Sequence, residues 1–374
     1  MRYPSVQIRA IDGYQLPVIE EAVREWFDAL SQPKFKRSKR VLIKPNLLGA
    51  YHPDRAVTTH PVVLEAIIRY FLAHHQEVWL GDSPGGTVPV TTVWERCGLQ
   101  DLADRYPIKL VNLSTSGFRE LKSDGISIKI SELLFQCGIV INVGKYKTHS
   151  LMAFTGALKN LYGLIPGMVK SEYHRLYPDT QSFANLLVAL YKLCQSKITY
   201  SIIDGIVGMD KAGPSAGNPR AFGLLMGSES IPALDTVAAR MMGFALSDVP
   251  YLWGALHHDG ILPSRIVVPH SFAHYRIPDA EIKVVKMRTQ TLQYIPRPLR
   301  FVFRKLYYGY PVISNRCIKC GICVASCPVK AINWQEDGFP KIDKNACIRC
   351  MCCHELCSQQ AIDIHRSFVA SRFM

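Results

Sequence analysis

No uninterrupted apolar stretch in these 374 residues approaches the ~20 needed to cross a bilayer, and the opening Met1-Arg2-Tyr3-Pro4-Ser5-Val6-Gln7-Ile8 has no apolar signal core. Both absences lead to the expectation of a cytoplasmic protein. A disulfide framework is missing too. Of twelve cysteines, eight fall in two tight runs, while Cys97, Cys137, Cys194 and Cys352 are left over and follow no disulfide pattern, which fits a reducing compartment. Acidic residues are scarce. Lys and Arg number 44 against 30 Asp and Glu, a formal charge of +14. Positions 282–335 hold no acidic residue at all, while Lys283, Lys286, Arg288, Arg297, Arg300, Arg304, Lys305, Arg316, Lys319 and Lys330 are basic. Such an excess favours anionic partners. Nucleic acid ranks last among them, because no recognition motif is present and the aromatics are not grouped as a stacking platform. There is also no low-complexity tract and no internal repeat beyond the cysteine runs.

What is present most distinctly is Cys317-x2-Cys320-x2-Cys323-x3-Cys327-Pro328, repeated as Cys347-x2-Cys350-x2-Cys353-x3-Cys357. Three thiolates at this spacing wrap one face of a cubane iron–sulfur cluster, and the fourth ligand comes from elsewhere. The stretch from about Tyr310 to His365 resembles a bacterial-type two-cluster ferredoxin, in which the fourth cysteine of each run reaches the other cluster. The resemblance implies one [4Fe–4S] cluster on Cys317, Cys320, Cys323 and Cys357, and a second on Cys347, Cys350, Cys353 and Cys327. Ser358 stands where the first run has Pro328, a departure that touches only the local turn. Structural zinc is the alternative, but four zinc ligands give no use to a third cysteine at the next spacing in both halves. Cys352, beside Cys353, has no role in the cluster scheme and is expected to be a bystander.

The rest of the chain alternates strand-like and helical patterns. Strands are expected at 5–11, 40–48, 77–82, 108–113, 127–130, 137–143, 201–207 and 221–226, with late ones at 265–269 and 282–286. Helices are expected at 16–30, 60–75, 92–106, 152–164, 182–194, 232–244 and 249–256. Such alternation predicts an α/β fold, a mostly parallel sheet with helices on both faces, followed by a small C-terminal α+β ferredoxin domain. The expected divisions are 1–289 for the α/β domain, 290–312 for a basic aromatic linker and 313–374 for the ferredoxin. Within the linker, 299–308 has the pattern of a basic amphipathic helix. Docking on its own protein is preferred over peripheral contact with an anionic membrane because the stretch is short.

Ligands of open α/β sheets bind beyond the carboxyl ends of the strands. Lys44, Asp82, Gly85, Gly86, Lys145, Lys147, His149 and Asp204 all follow strand-like runs, and Lys159 and Asn160 fall just after. If the strands are parallel neighbours, these residues converge on a crevice suited to an anionic small molecule. Lys145 and Lys147, two apart on a strand extension, would repel unless an anion sat between them. Each has a plainer reading as well. Gly85-Gly86 lacks both the Walker pattern and G-x-G-x-x-G and suits a simple tight turn, while His149 could bond the backbone.

The segments Lys44-Pro45-Asn46, Gly81-Asp82-Ser83-Pro84-Gly85-Gly86, Asn142 to His149, Thr155 to Gly163, Asp204 to Met209, Gly213-Pro214 and Ala233 to Arg240 together resemble the family catalogued as domain of unknown function 362. The resemblance departs at Gly144, where the family has proline, and at Lys211-Ala212, where it reads Gly-Asn. It implies this two-module architecture and no settled reaction. The expectation is an iron–sulfur oxidoreductase or electron carrier, in which Lys145, Lys147, His149 and Asp204 carry the chemistry. Lys44, Asp82, Gly85, Gly86, Lys159 and Asn160 would hold the ligand, and an acidic flavodoxin or ferredoxin would be the partner. The competing expectation is a non-redox transferase or ligase on an anionic substrate, with structural or sensory clusters.

Overall fold

A computed structural model describes residues 3–30, 38–269, 277, 279–283, 285 and 309–366. The large sheet draws on β1 (Gln7–Ala10), β2 (Arg40–Lys44), β3 (Glu77–Asp82), β4 (Lys109–Asn112), β7 (Ile139–His149), β8 (Ala153–Thr155), β9 (Tyr200–Asp210) and β10 (Asn218–Ser228). Between β4 and β7 lies a separate hairpin of β5 (Phe118–Ser123) and β6 (Ile126–Ser131). The order across the sheet is β1-β10-β9-β7-β2-β3-β4, with β8 folded back on β7. The run from β9 through β7, β2 and β3 to β4 is parallel, and β1, β10 and β8 pair antiparallel. The sheet is therefore mixed but mostly parallel.

Strand alternation divides the core into two faces. On one, Val41, Ile43, Ile139, Ile141, Val143 and Ile202 meet Trp26, Phe27, Ile67 and Phe71 of the helices Leu16–Asp28 and Pro61–Ala73. On the other, Leu42, Val140 and Ile203 meet Phe183, Leu187, Leu234 and Leu252 of the helices Thr180–Cys194, Ile231–Met241 and Leu252–Asp259. Two apolar faces on one parallel run require helices on both sides.

Several sequence expectations are corrected. The helix expected at 92–106 is two helices, Val90–Arg96 and Leu99–Arg105, separated by Gly98 at φ +75°. The helix expected at 152–164 is absent. His149 Nδ1 accepts the amides of Leu151 (3.0 Å) and Met152 (3.3 Å), which turns the chain so that β8 pairs back on Lys147, Thr148 and His149. Only Ala157–Asn160 is α-helical there, followed by a 3-10 turn at Leu161–Leu164. The expected strand at 265–269 is a single bridge between Val267 and Ser5, and the one at 282–286 falls partly outside the described residues.

The C-terminal unit consists of β11 (Gly309–Ile313), β12 (Ile332–Trp334), β13 (Pro340–Ile342) and β14 (Ile362–Arg366). β11 pairs with β14 and β12 with β13. Residues 309–312, assigned to the linker above, thus belong to this unit, and 290–308 lie outside the described residues. Backbone features recur between the two halves thirty positions apart. Lys319 and Arg349 share φ +58°, Gly321 and Met351 have φ +75° and +65°, and Lys330 and Gln360 have φ +53° and +50°. The short helices Ile322–Ala325 and Cys352–Leu356 follow the same correspondence.

Candidate functional site

The C-terminal unit packs against the carboxyl ends of the parallel strands. Tyr51 Oη donates to the Glu355 carbonyl at 2.9 Å and Gln360 Nε2 to the Ser215 carbonyl at 3.2 Å. Leu356 lies so close to Gly85 that a Cβ there would stand 3.1 Å from it. Between the two units is a cavity of about 100 Å³, lined on one side by Asp82, Ser83, Gly85, Gly86, Lys159, Asn160, Lys170 and His174 and on the other by Cys352, Glu355 and Leu356. Of the residues expected to bind a ligand, all but Lys44 line it. Lys145, Lys147, His149 and Asp204 do not.

Lys44 lies just beneath the cavity, fully buried, with Nζ 2.9 Å from Asp82 Oδ1. Burial pulls its pKa down and Asp82 holds it up. The same carboxylate accepts the amides of Leu47 (2.9 Å) and Ser83 (2.8 Å), so it is fixed by the loops after β2 and β3. Gly163 comes so close that a Cβ would stand 2.1 Å from Asp82 Oδ1 and 2.5 Å from Lys44 Nζ. Gly163→Ala is expected to destabilise the protein by about 1–3 kcal/mol through overpacking. An unchanged denaturant midpoint would show that the pair yields freely.

Lys145 and Asp204 form a second buried pair, 2.7 Å apart and both without exposure. Tyr14 Oη donates to Asp204 Oδ1 at 3.0 Å and accepts from Lys145 Nζ at 2.9 Å, and its ring stacks on His60 at 3.5 Å. The His60 amide donates to Asp204 Oδ2 at 3.0 Å. Burial lowers the His60 pKa to about 4, and burial together with Asp204 raises that of Tyr14. The anion balancing Lys145 is therefore the protein's own carboxylate, not a ligand shared with Lys147.

Among the described residues Lys147 has no carboxylate in contact. Its Nζ donates to the Val57 carbonyl at 2.6 Å, and burial, followed by repulsion from Lys159, lowers its pKa to about 7. A buried lysine with a folded pKa below its unfolded value destabilises the fold fully below pH 7, and the penalty is relieved as pH rises toward 10.5. Lys147→Met is accordingly expected to stabilise the protein most below pH 7 and progressively less toward pH 10, as read by denaturant unfolding at both ends. His149 Nε2 lies 3.5 Å from Glu355 Oε1, across the contact between the two units.

Lys159 and Lys170 are half-buried on the cavity wall. Lys170 Nζ donates to Ser83 Oγ at 2.7 Å and to the Ser83 carbonyl. Lys159 lies over the Tyr162 ring, 5.6 Å from its centroid, and has no hydrogen bond or ion pair among the described residues. Sequence reasoning missed Lys170 and His174. The signal was their spacing of four on the helix Val169–Leu176, which puts both on one face. Glu355 and Tyr14 carried no such signal.

In the C-terminal unit, Cys327, Cys347, Cys350 and Cys353 line a second cavity. The thiol of Cys323 is raised to about 11 by burial and by Cys320, Cys317 and Cys357, while Cys347 is raised by burial with Cys350 and Cys327 as neighbours. Backbone amides donate to four sulfurs in matched pairs, Lys319 to Cys317 and Arg349 to Cys347 at 3.4 Å, Ala331 to Cys327 at 3.2 Å and Ala361 to Cys357 at 3.3 Å. Among the described residues no three His, Cys, Asp or Glu side chains converge as ligands of a single metal ion. Cys352 lines both cavities.

Fold and site define an α/β protein carrying an iron–sulfur module against the carboxyl ends of its parallel strands, and residues 310–333 match the family model described as a 4Fe-4S binding domain. The chain belongs to the family described as domain of unknown function (DUF362), whose model matches residues 41–240. It is 28% identical over 280 residues to the thylakoid-associated protein sll1697 of Synechocystis sp., a match covering 74% of this chain and 85% of the relative. Two solved structures resemble it in part. One is a Thermotoga maritima protein (14% identity, TM-score 0.40, 68% of this chain and 61% of the other). The other is the lactate racemase apoprotein of Thermoanaerobacterium thermosaccharolyticum (12% identity, TM-score 0.41, 67% and 58%). This chain thus spans about three fifths of each of those solved chains. Among the described residues no helix is long and apolar enough to cross a membrane.

Proposed function

We propose that this protein is an electron carrier or oxidoreductase that holds two [4Fe–4S] clusters and passes electrons to an anionic substrate in the crevice between its two units. One cluster would be held by Cys317, Cys320, Cys323 and Cys357, the other by Cys347, Cys350, Cys353 and Cys327. The residues fit. Cys327 lines one cavity with the three cysteines of the other run, and Cys357 is an electrostatic neighbour of Cys323. When bound, the clusters supply one-electron storage. The observation that carries the reading is Cys352, which lies between two ligands of the second cluster and also lines the crevice. Cys352 would thus join the loop holding that cluster to the wall of the crevice.

The chain's own residues define the rest. Lys159 and Lys170 attract and orient the anion, and Leu356 and Tyr162 exclude water from the space around it. Lys145, Lys147, His149 and Asp204 would act from beneath by shaping its field. Electrons would enter at the first cluster, where Cys320 is exposed next in sequence to Lys319 and close to Ile318 (62% exposed). That surface suits an acidic one-electron donor of the flavodoxin or ferredoxin class. A Lys319→Glu variant is expected to be reduced by such a donor severalfold more slowly at low salt, with the difference disappearing at high ionic strength. A salt-independent rate equal to wild type would reject this entry face.

The scattered free thiols support a reducing, cytoplasmic setting, and the name of the Synechocystis relative agrees with peripheral membrane contact. Iron and sulfide counting with electron paramagnetic resonance under reductive titration tests the central reading. About eight irons and a spin-coupled pair of cubanes are expected. The transferase or ligase alternative draws on the same cationic crevice, which could hold a phosphorylated or carboxylated substrate without electrons. Clusters silent at every accessible potential, with turnover by oxidised protein, would favour it.

A further inference from the structure

We propose that Lys159 and Lys170, with His174 beside them, form the binding site for a small oxyanion-bearing ligand, a carboxylate or a phosphate. This rests on the crevice reading above and names the ligand class of the same site. The expectation from sequence placed the anion between Lys145 and Lys147, but Lys145 is satisfied by Asp204 and Tyr14, and Lys147 by the Val57 carbonyl. Lys159 has no such partner among the described residues. Its charge acts on Lys170 and disfavours the protonated form there, while Glu355 on the opposite wall acts on Lys159, so an anion seated between the two lysines would let both carry charge. The cavity is large enough for a small anion or several waters.

His174 gives an independent indication. It is 7% exposed, its ring lines the cavity, and its Nδ1 has no hydrogen-bond partner among the described residues. The ring is clamped between Phe183, stacked at 4.5 Å, and Tyr162, edge-on at 5.7 Å. Burial and the Lys159 charge lower its pKa to about 3, so it offers the ligand a neutral imidazole. A buried polar atom held in place without a partner is costly, and a ligand group would satisfy it. Lys170 supplies an adjustable charge. Burial lowers its pKa to about 7 against the pull of Asp82, with Lys44 and Lys159 adding to the decrease. An arriving anion raises that pKa and draws a proton from solvent.

The test is titration calorimetry on oxidised protein with its clusters intact, using inorganic phosphate and malonate in two buffers of different ionisation heat near pH 7.5. At least one anion is expected to bind with proton uptake. Lys159→Met and Lys170→Met should each weaken it about tenfold or more. His174→Phe, which keeps the stacking ring, should weaken it about threefold to tenfold. The exposed Lys122→Met should leave it unchanged. Preference for phosphate or malonate distinguishes the two chemistries, and either supports the site. If Lys170→Met loses its clusters, proton uptake by wild type and the Lys159→Met affinity decide. Failure of both anions to bind, or binding that survives both lysine substitutions, overturns the proposal. If the anion binds but no electron reaches any ligand, the electron route fails and the site stands. If the clusters cycle but no anion binds, the reverse holds.

Discussion

Cys357→Ala is expected to remove the cluster built on Cys317, Cys320 and Cys323, although Cys357 belongs to the other run. Iron should fall from about eight to about four per chain and the spin coupling should disappear. Cys327→Ala should give the same iron count by removing the other cluster. The two variants are distinguished by which cluster survives. In Cys357→Ala the remaining cluster would be the one proposed on Cys347, Cys350 and Cys353 with Cys327, beside Cys352 on the crevice wall. Its spectrum and potential should still respond to an anion added to the crevice. In Cys327→Ala the surviving cluster is the one beside the exposed Cys320 and Ile318, and the response should be lost. Ligation within each run would reverse the assignment, so redox titration of both variants with and without the anion decides. The matched amide-to-sulfur bonds from Ala331 and Ala361 suggest a further comparison. Each crossing cysteine is held by the same backbone contact, which makes the two variants chemically equivalent apart from their surroundings.

Most of the sheet was legible because its signals are local. Val41-Leu42-Ile43 and 139–143 are continuous apolar runs of the kind that parallel strands buried on both faces require. The end of β7 was legible as a strand extension bearing Lys145, Lys147 and His149, and the cysteine spacing marked the iron–sulfur module directly. The segment after β7 was misread because 152–164 is apolar enough for a helix, while the decisive event is His149 Nδ1 gathering two amides into a turn. The hairpin of β5 and β6 was half seen, since Phe118–Ser123 is largely exposed and lacks an apolar face to announce it. The site was legible in part. Residue types at strand ends pointed to a cationic crevice, but which lysines face it depends on which already have internal partners. Asp204, Tyr14 and Val57 settle that for Lys145 and Lys147 from distant parts of the chain, and no local pattern encodes it.

Asp204→Ala is expected to cost about 3–5 kcal/mol, because it leaves the fully buried Lys145 ammonium without its carboxylate. The loss extends beyond one pair, since Asp204 also accepts from Tyr14 Oη and from the His60 amide that begins the helix Pro61–Ala73. Three separate stretches of chain converge on this one side chain. A double variant, Lys145→Met with Asp204→Leu, removes both charges and fills similar volume, and its stability is expected within about 1 kcal/mol of wild type. Denaturant unfolding of the single and double variants measures the difference, and a double variant as unstable as Asp204→Ala would show that the hydrogen bonds to Tyr14 and His60, not the charge pair, carry the cost. The same double variant separates architecture from chemistry. If Lys145 and Asp204 serve only to join β7 and β9 to the loop before the first helix, it keeps its clusters and binds the crevice anion normally. If their field is needed in the crevice, it folds, binds iron and still loses affinity for the anion, an outcome that stability alone cannot produce.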